Sequence, residues 1–146
     1  MILYLDTSSL IKLFVEEPGG DEVRQDLSEA AVVATSVITY AEARATFARL
    51  RRTGSITPDG LRLAKRDLEA DWSKYVVIEP TVELCRAAGE LAEHYRLRGC
   101  DSIQLATFLG VARERAGSET RFSSFDKDLN RAAASALRSA HRRSRV

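Results

Sequence analysis

Four acidic residues, Asp6, Glu42, Asp101 and Asp126, stand where a chain of 146 residues can gather charge at one place. Asp6 closes the apolar run Ile2 to Leu5, and Asp126 follows the run Arg121 to Ser124. Glu42 lies roughly two turns into a helical stretch after a second apolar run. Asp101 opens the helical stretch that precedes the last run. Several ionised carboxylates within a few ångströms repel, so either their pKa values rise or cations settle among them. An all-oxygen donor set suits hard divalent ions, Mg²⁺ or Mn²⁺, which keep several waters and accept phosphate oxygens. Zinc is disfavoured, because His94 and His141 complete no ligand spacing with Cys85 and Cys100. Other chemistries lack their motifs. There is no G-x-x-x-x-G-K or G-x-G-x-x-G loop, and no cysteine or serine has a nearby histidine base. The D-x-D of aspartyl phosphatases is absent, since Thr7 and Ser8 follow Asp6. The same acids also have a structural reading. Asp6, Asp101 and Asp126 each stand where an N-cap belongs, Asp101 with Gln104 forms a capping-box variant, and Glu42 is by default a solvated helix charge.

The elements that must position these residues alternate along the chain. Short apolar runs at Ile2 to Leu5, Ala31 to Thr35 and Tyr75 to Ile78, with a weaker one at Arg121 to Ser124, read as strands buried on both faces. Helical spacing begins after Asp6 and stops at Pro18-Gly19-Gly20. It resumes from Asp21, from Ser36 or Thr39 to about Arg52, and from Thr57-Pro58 through Trp72. It recurs from Thr81 to about Leu97, with Val82, Cys85, Leu91 and Tyr95 on one stripe. Gly99 breaks that helix. Ile103, Leu105, Ala106, Phe108 and Leu109 make the next one apolar nearly all round, as a central helix requires, and a last helix runs from Asp126 through Leu137. Strands alternating with helices imply a three-layer α/β/α sandwich around a mainly parallel sheet of four or five strands. Such open sheets place their sites at the carboxyl ends of the strands.

Composition bounds the answer. Apolar residues make up 45% and charged residues 29% of the chain, and the formal net charge is +1. These values exclude a disordered chain and a disulfide miniprotein, and bulk charge does not announce a nucleic-acid binder. One domain is expected over residues 1–137, with a basic tail over 138–146 carrying Arg138, Arg142, Arg143 and Arg145. The start lacks the basic and long apolar segments of a secretory signal, and no run reaches a membrane span of roughly 18 residues. A cytoplasmic protein is therefore expected, with Cys85 and Cys100 reduced and buried. Arg44, Arg49, Arg51 and Arg52 crowd one helix, and Arg96 and Arg98 approach Asp101. Each suits either a phosphate group or a solvated helix face.

At the same acids the sequence resembles the PIN-domain family, most closely its VapC-type toxin branch. Leu5-Asp6-Thr7-Ser8-Ser9-Leu10 is similar to the opening D-[TS]-S motif, and Thr35-Ser36 through Tyr40-Ala41-Glu42 to the segment with a single Glu. Leu97 to Ala106 resembles the R-G-x-D-A-x-x-L-A helix start, with Ser102 in place of the common Ala, and Phe122 to Leu129 resembles the terminal [TS]-x-D segment. The resemblance implies an acidic quartet of Asp6, Glu42, Asp101 and Asp126 that binds Mg²⁺ or Mn²⁺, with Ser8 and Ser124 as supporting hydroxyls. Asp128 competes with Asp126 for the fourth place. The resemblance also implies a metal-dependent endoribonuclease toxin that dimerises and is held inactive by a small antitoxin. A PIN-like nuclease of RNA maturation or DNA repair, and an inactive protein-binding α/β module, are the other readings.

Overall fold

A strand buried on both faces has to be apolar at every position, and β1 (Ile2–Leu5) is buried at all of them. The computed structural model, which describes residues 1–143, places β1 at the centre of a parallel four-stranded sheet in the order β3-β2-β1-β4. β2 is Val32–Ser36, β3 Val76–Ile78 and β4 Thr120–Ser123. Tyr4 stands opposite Ala34 on one side and Phe122 on the other, and Leu5 stands opposite Ser123. The strand ends that carry Asp6 and the β4 exit therefore lie side by side.

Alternation along β1 divides the core in two. Leu3 and Leu5 face α1 (Thr7–Leu10), the 3-10 turn Ile11–Leu13, α2 (Gly20–Glu29), α3 (Ile38–Arg52) and α4 (Pro58–Trp72), packing with Leu10, Val23, Ala43, Phe47 and Leu68. Tyr4 faces α6 (Gly99–Glu114) and α7 (Lys127–Arg143), packing with Leu105, Phe108, Leu129, Ala132 and Ala133. On that side the Tyr4, Phe108 and Phe122 rings form a triangle with centroids 4.8–5.9 Å apart, a spacing at which aromatic pairs attract. The expected three-layer α/β/α sandwich with a parallel sheet is what forms, with four strands.

Several local expectations are corrected. Cys85 and Cys100 are exposed, not buried. α5 (Val82–Tyr95) leans on α6 with Leu91 and Tyr95 inward as expected, but with Leu84 and Ala88 in place of Val82 and Cys85. Leu84, Ala88, Leu91 and Tyr95 turn inward, while Val82 is 62% exposed. Spacings of four, three and four residues suit a helix face as well as Val82 and Cys85 did. Packing on α6 decides between them. α6 begins at Gly99, with Arg98 at its N-cap, so Asp101 lies inside the first turn and caps nothing. Arg96 carries the left-handed bend (φ 56°) between α5 and α6. α7 continues to Arg143, so residues 138–143 are helical, and Arg145 lies outside the described residues. Among the described residues no helix is long and apolar enough to cross a membrane.

Phe47 is fully buried and meets Phe14 edge-on at 6.4 Å. Phe47→Ala is expected to lower unfolding free energy by about 3–5 kcal/mol in urea denaturation, and Phe47→Leu by clearly less.

Candidate active site

Asp6 follows β1 directly and is 5% exposed. Its backbone conformation is extended (φ -72°, ψ 162°), which is the geometry of an N-cap, and its Oδ1 accepts the Ser8 backbone N–H at 3.0 Å. Oδ2 accepts the Ser8 hydroxyl at 3.0 Å and also the Ser124 hydroxyl, which arrives from the loop after β4. Burial is the main influence on Asp6 and raises its pKa above the ordinary value of 3.8; the serine bonds oppose this, and the charge of Glu42 adds to it.

The serines pass the connection onward. Ser8 Oγ accepts the Phe125 N–H at 2.9 Å, and Ser124 Oγ accepts the Asp126 N–H at 3.0 Å. Asp126 then caps α7, its Oδ1 accepting the Leu129 N–H at 2.9 Å. Capping and clustering are thus the same geometry for Asp6 and Asp126, because a helix that starts at the carboxyl end of a strand carries its cap to the sheet rim. Asp128 faces solvent and pairs with Arg131 at 3.3 Å.

Glu42 sits one turn into α3. Thr7 donates to its Oε1 at 2.8 Å and Gln104 Nε2 donates to the same oxygen at 3.0 Å. Gln104 is buried, also donates to Thr39 Oγ1 at 2.9 Å, and accepts the Tyr4 O–H at 2.7 Å. The sequence reading assigned Gln104 to a capping box; the structure makes it the clasp between both cores and Glu42. Its partners lie 62 to 100 residues away in the chain, beyond any local signal.

Arg98 donates to Asp101 Oδ2 at 3.1 Å. That bond is the main reason the guanidinium is held more firmly in its charged form, with the charges of Asp101, Asp126 and Glu42 adding to it. The Cys100 thiol is held above its ordinary range by desolvation first, then by Glu42 and Asp101. Asp101, Asp126 and Glu42 therefore all bear on Arg98, and Glu42 also bears on Asp6. The four acids do not close into a cage: among the described residues no three His, Cys, Asp or Glu side chains are placed to hold one ion. Arg44 is taken up by Tyr40, to whose hydroxyl it donates at 2.9 Å. Arg49, Arg51 and Arg52 lie in the last turn of α3, roughly 10–15 Å along the helix from Glu42. A separate cleft of about 450 Å³, lined by residues 13–21 and Arg24, holds none of the four acids.

A family model described as PIN domain matches residues 3–135. The chain belongs to the PIN-domain family. It is 32% identical over 110 residues to "Ribonuclease VapC45" of Mycobacterium tuberculosis (strain CDC 1551 / Oshkosh), covering 75% of this chain and 76% of that one. Its fold resembles a toxin-antitoxin complex from Klebsiella pneumoniae (TM-score 0.61, 21% identity, 88% of this chain and 90% of that one). It also resembles FitAcB from Neisseria gonorrhoeae (TM-score 0.60, 20% identity, 92% and 94%).

Two outcomes follow from this PIN-domain geometry. A buried carboxyl with a raised pKa favours folding while protonated, below the unfolded value near 3.8, and that contribution is lost as pH rises through the folded value. Asp6→Asn keeps an acceptor for Ser8 N–H and offers donors to the two hydroxyls. It is expected to raise the melting temperature of the metal-free protein at pH 7, with the gain vanishing below about pH 3.8. Gln104→Leu deprives the Tyr4 hydroxyl and Glu42 of a buried partner and is expected to cost about 1–3 kcal/mol by chemical denaturation; adding Tyr4→Phe should restore part of it.

Proposed function

We propose that the chain is a divalent-metal-dependent endoribonuclease acting as the toxin of a toxin-antitoxin pair. The observation that carries this reading is the Asp6–Ser124–Asp126 linkage across adjacent strand ends, with Glu42 bearing on Asp6, and Asp101 and Glu42 on Arg98. The ribonuclease name of a relative 32% identical supports it, as do the toxin-antitoxin structures that share the fold.

The chemistry of the donors, though not their present spacing, fits Mg²⁺ or Mn²⁺. Every candidate ligand is a carboxylate oxygen, and Asp6 carries a charge that its surroundings disfavour. Arg98, 85% exposed, holds Asp101 through a surface pair of the kind worth little, so Asp101 is free to exchange partners. Asp6, Asp101 and Asp126 would hold the ion, directly or through water, with Glu42 beside them. When bound, such an ion lowers the pKa of its water and neutralises charge on the phosphate. The bonds to Glu42 both end on Oε1, so Oε2 is the oxygen that accepts the proton of the attacking water. Thr7 and Gln104 fix the rotamer of Glu42. Arg98, released from Asp101, neutralises a substrate phosphate, and Arg51 and Arg52 extend positive charge along α3.

The inhibitor reading is of a small antitoxin encoded alongside, in a complex that also brings two copies of the chain together. Leu10 of α1 and Phe47 of α3 are core residues, so a partner helix laid on α1 and α3 would meet outer residues, such as the exposed Val37 at the N-cap of α3.

Cleavage of single-stranded RNA by the purified chain is expected to require Mg²⁺ or Mn²⁺ and to stop in excess chelator. Asp6→Asn and Asp101→Asn should each lower the rate by more than the roughly 10–100-fold typical of outer-shell partners, while Asp128→Asn stays near wild type. Full activity in Asp6→Asn would remove the quartet.

A further inference from the structure

Phe125 lies between Ser124 and Asp126, yet its side chain belongs to no core. It is 39% exposed, one of the few large apolar residues at the surface. A residue between two site residues and open to water is expected to be mobile unless something holds it, and this one is held on three sides. Its backbone N–H donates to Ser8 Oγ at 2.9 Å, the hydroxyl that also donates to Asp6. The Lys12 ammonium stands 4.5 Å from the ring centroid, over one face. Lys12 is itself only 8% exposed and is anchored by Glu17 at 3.0 Å, so the cation under the ring is fixed. The ring edge lies against Gly19, where a Cβ would come within 2.4 Å of Phe125 Cε1, and whose φ of +93° also suits glycine. The cation covers one face of the ring and Gly19 one edge, and 39% of the residue's surface is still left to solvent.

A rigid aromatic face beside a phosphodiester-cleaving centre has one efficient use. We propose that Phe125 is a stacking platform for the nucleobase next to the scissile phosphate, with Lys12 and Gly19 as the parts that hold the platform level. The inference rests on the ribonuclease reading and narrows its substrate to single strands, because a base paired in a duplex has no free face to offer. Stacking of this kind is tolerant of base identity, since every base has a π-face. The Lys12 ammonium serves the ring through cation–π attraction and is not a phosphate contact, because Glu17 already neutralises it.

The test uses the full-length chain in an Asp101→Asn background, where cleavage is stopped, with a short fluorescent single-stranded RNA. Phe125→Leu should weaken binding roughly 5- to 100-fold, and Phe125→Trp should keep the affinity. In Phe125→Trp the introduced indole should be quenched by the RNA. An RNA with one abasic site at the stacked position should lose affinity for the Phe125 protein and lose little more for Phe125→Leu. A duplex of the same sequence should bind weakly to both. Equal affinity of Phe125 and Phe125→Leu proteins, with the otherwise wild-type chain cleaving RNA normally, would overturn the platform and leave the nuclease reading standing. Failure of the wild-type chain to cleave or bind any RNA would overturn both. Unchanged circular dichroism of Phe125→Leu separates a lost platform from a lost fold.

Discussion

A carboxylate held away from water at the end of the central strand governs much of this molecule. The Asp6 side chain has little solvent to share its charge, so hydroxyl and amide donors must be brought to it, and they come from two directions. Ser8 arrives from α1, which Asp6 itself caps. Ser124 arrives from beyond β4, a segment more than a hundred residues later that reaches Asp6 only because β1 and β4 pair in parallel. Each serine in turn accepts a backbone N–H from the β4–α7 connection. The burial that weighs against the charged form of Asp6 is thus the same circumstance that draws the two loops together around it.

A second polar arrangement runs beneath the first. The Tyr4 hydroxyl reaches down from the aromatic core to Gln104, and Gln104 reaches across to Thr39 and Glu42 on the other layer. Thr35 joins the Leu5 carbonyl at 2.7 Å and pairs with Thr39 at 2.8 Å. Among the described residues no buried side-chain polar atom is left without a partner. A fully satisfied network in a low-dielectric interior is rigid and specific, and here it transmits the packing of both faces to the orientation of one glutamate.

Much of this was legible in the chain because buried parallel strands leave an unmistakable trace. Ile2 to Leu5 is apolar without interruption, and a strand that ends on Asp must present that Asp at the sheet rim. Asp6 and Asp126 were legible as caps and were read also as site residues; the caps are what form, and Ser124 links the two carboxylates at the sheet rim. Asp101 was misread as a cap because Arg98, a poor capping residue, begins α6 without a side-chain bond. On α5, Leu91 and Tyr95 were placed correctly but Val82 and Cys85 were not, because a helix that rests mainly on one neighbour carries two apolar stripes of nearly equal strength in its first turns, and local spacing does not rank them. Cys85 and Cys100 were assigned by the habits of their residue type, and neither helix had a reason to bury them. Gln104 was out of reach, since its meaning lies wholly in residues distant along the chain.

The sheet itself has little edge to offer. β3 is three residues long and β4 four, and in β4 Arg121 is tied up by Asp26 at 2.7 Å. Backbone groups left free on so short a border template only a few rungs, which is how natural sheets resist growing by accretion. Growth strand upon strand is therefore a poor route to larger assemblies for this chain, and its helix surfaces are the broader ground.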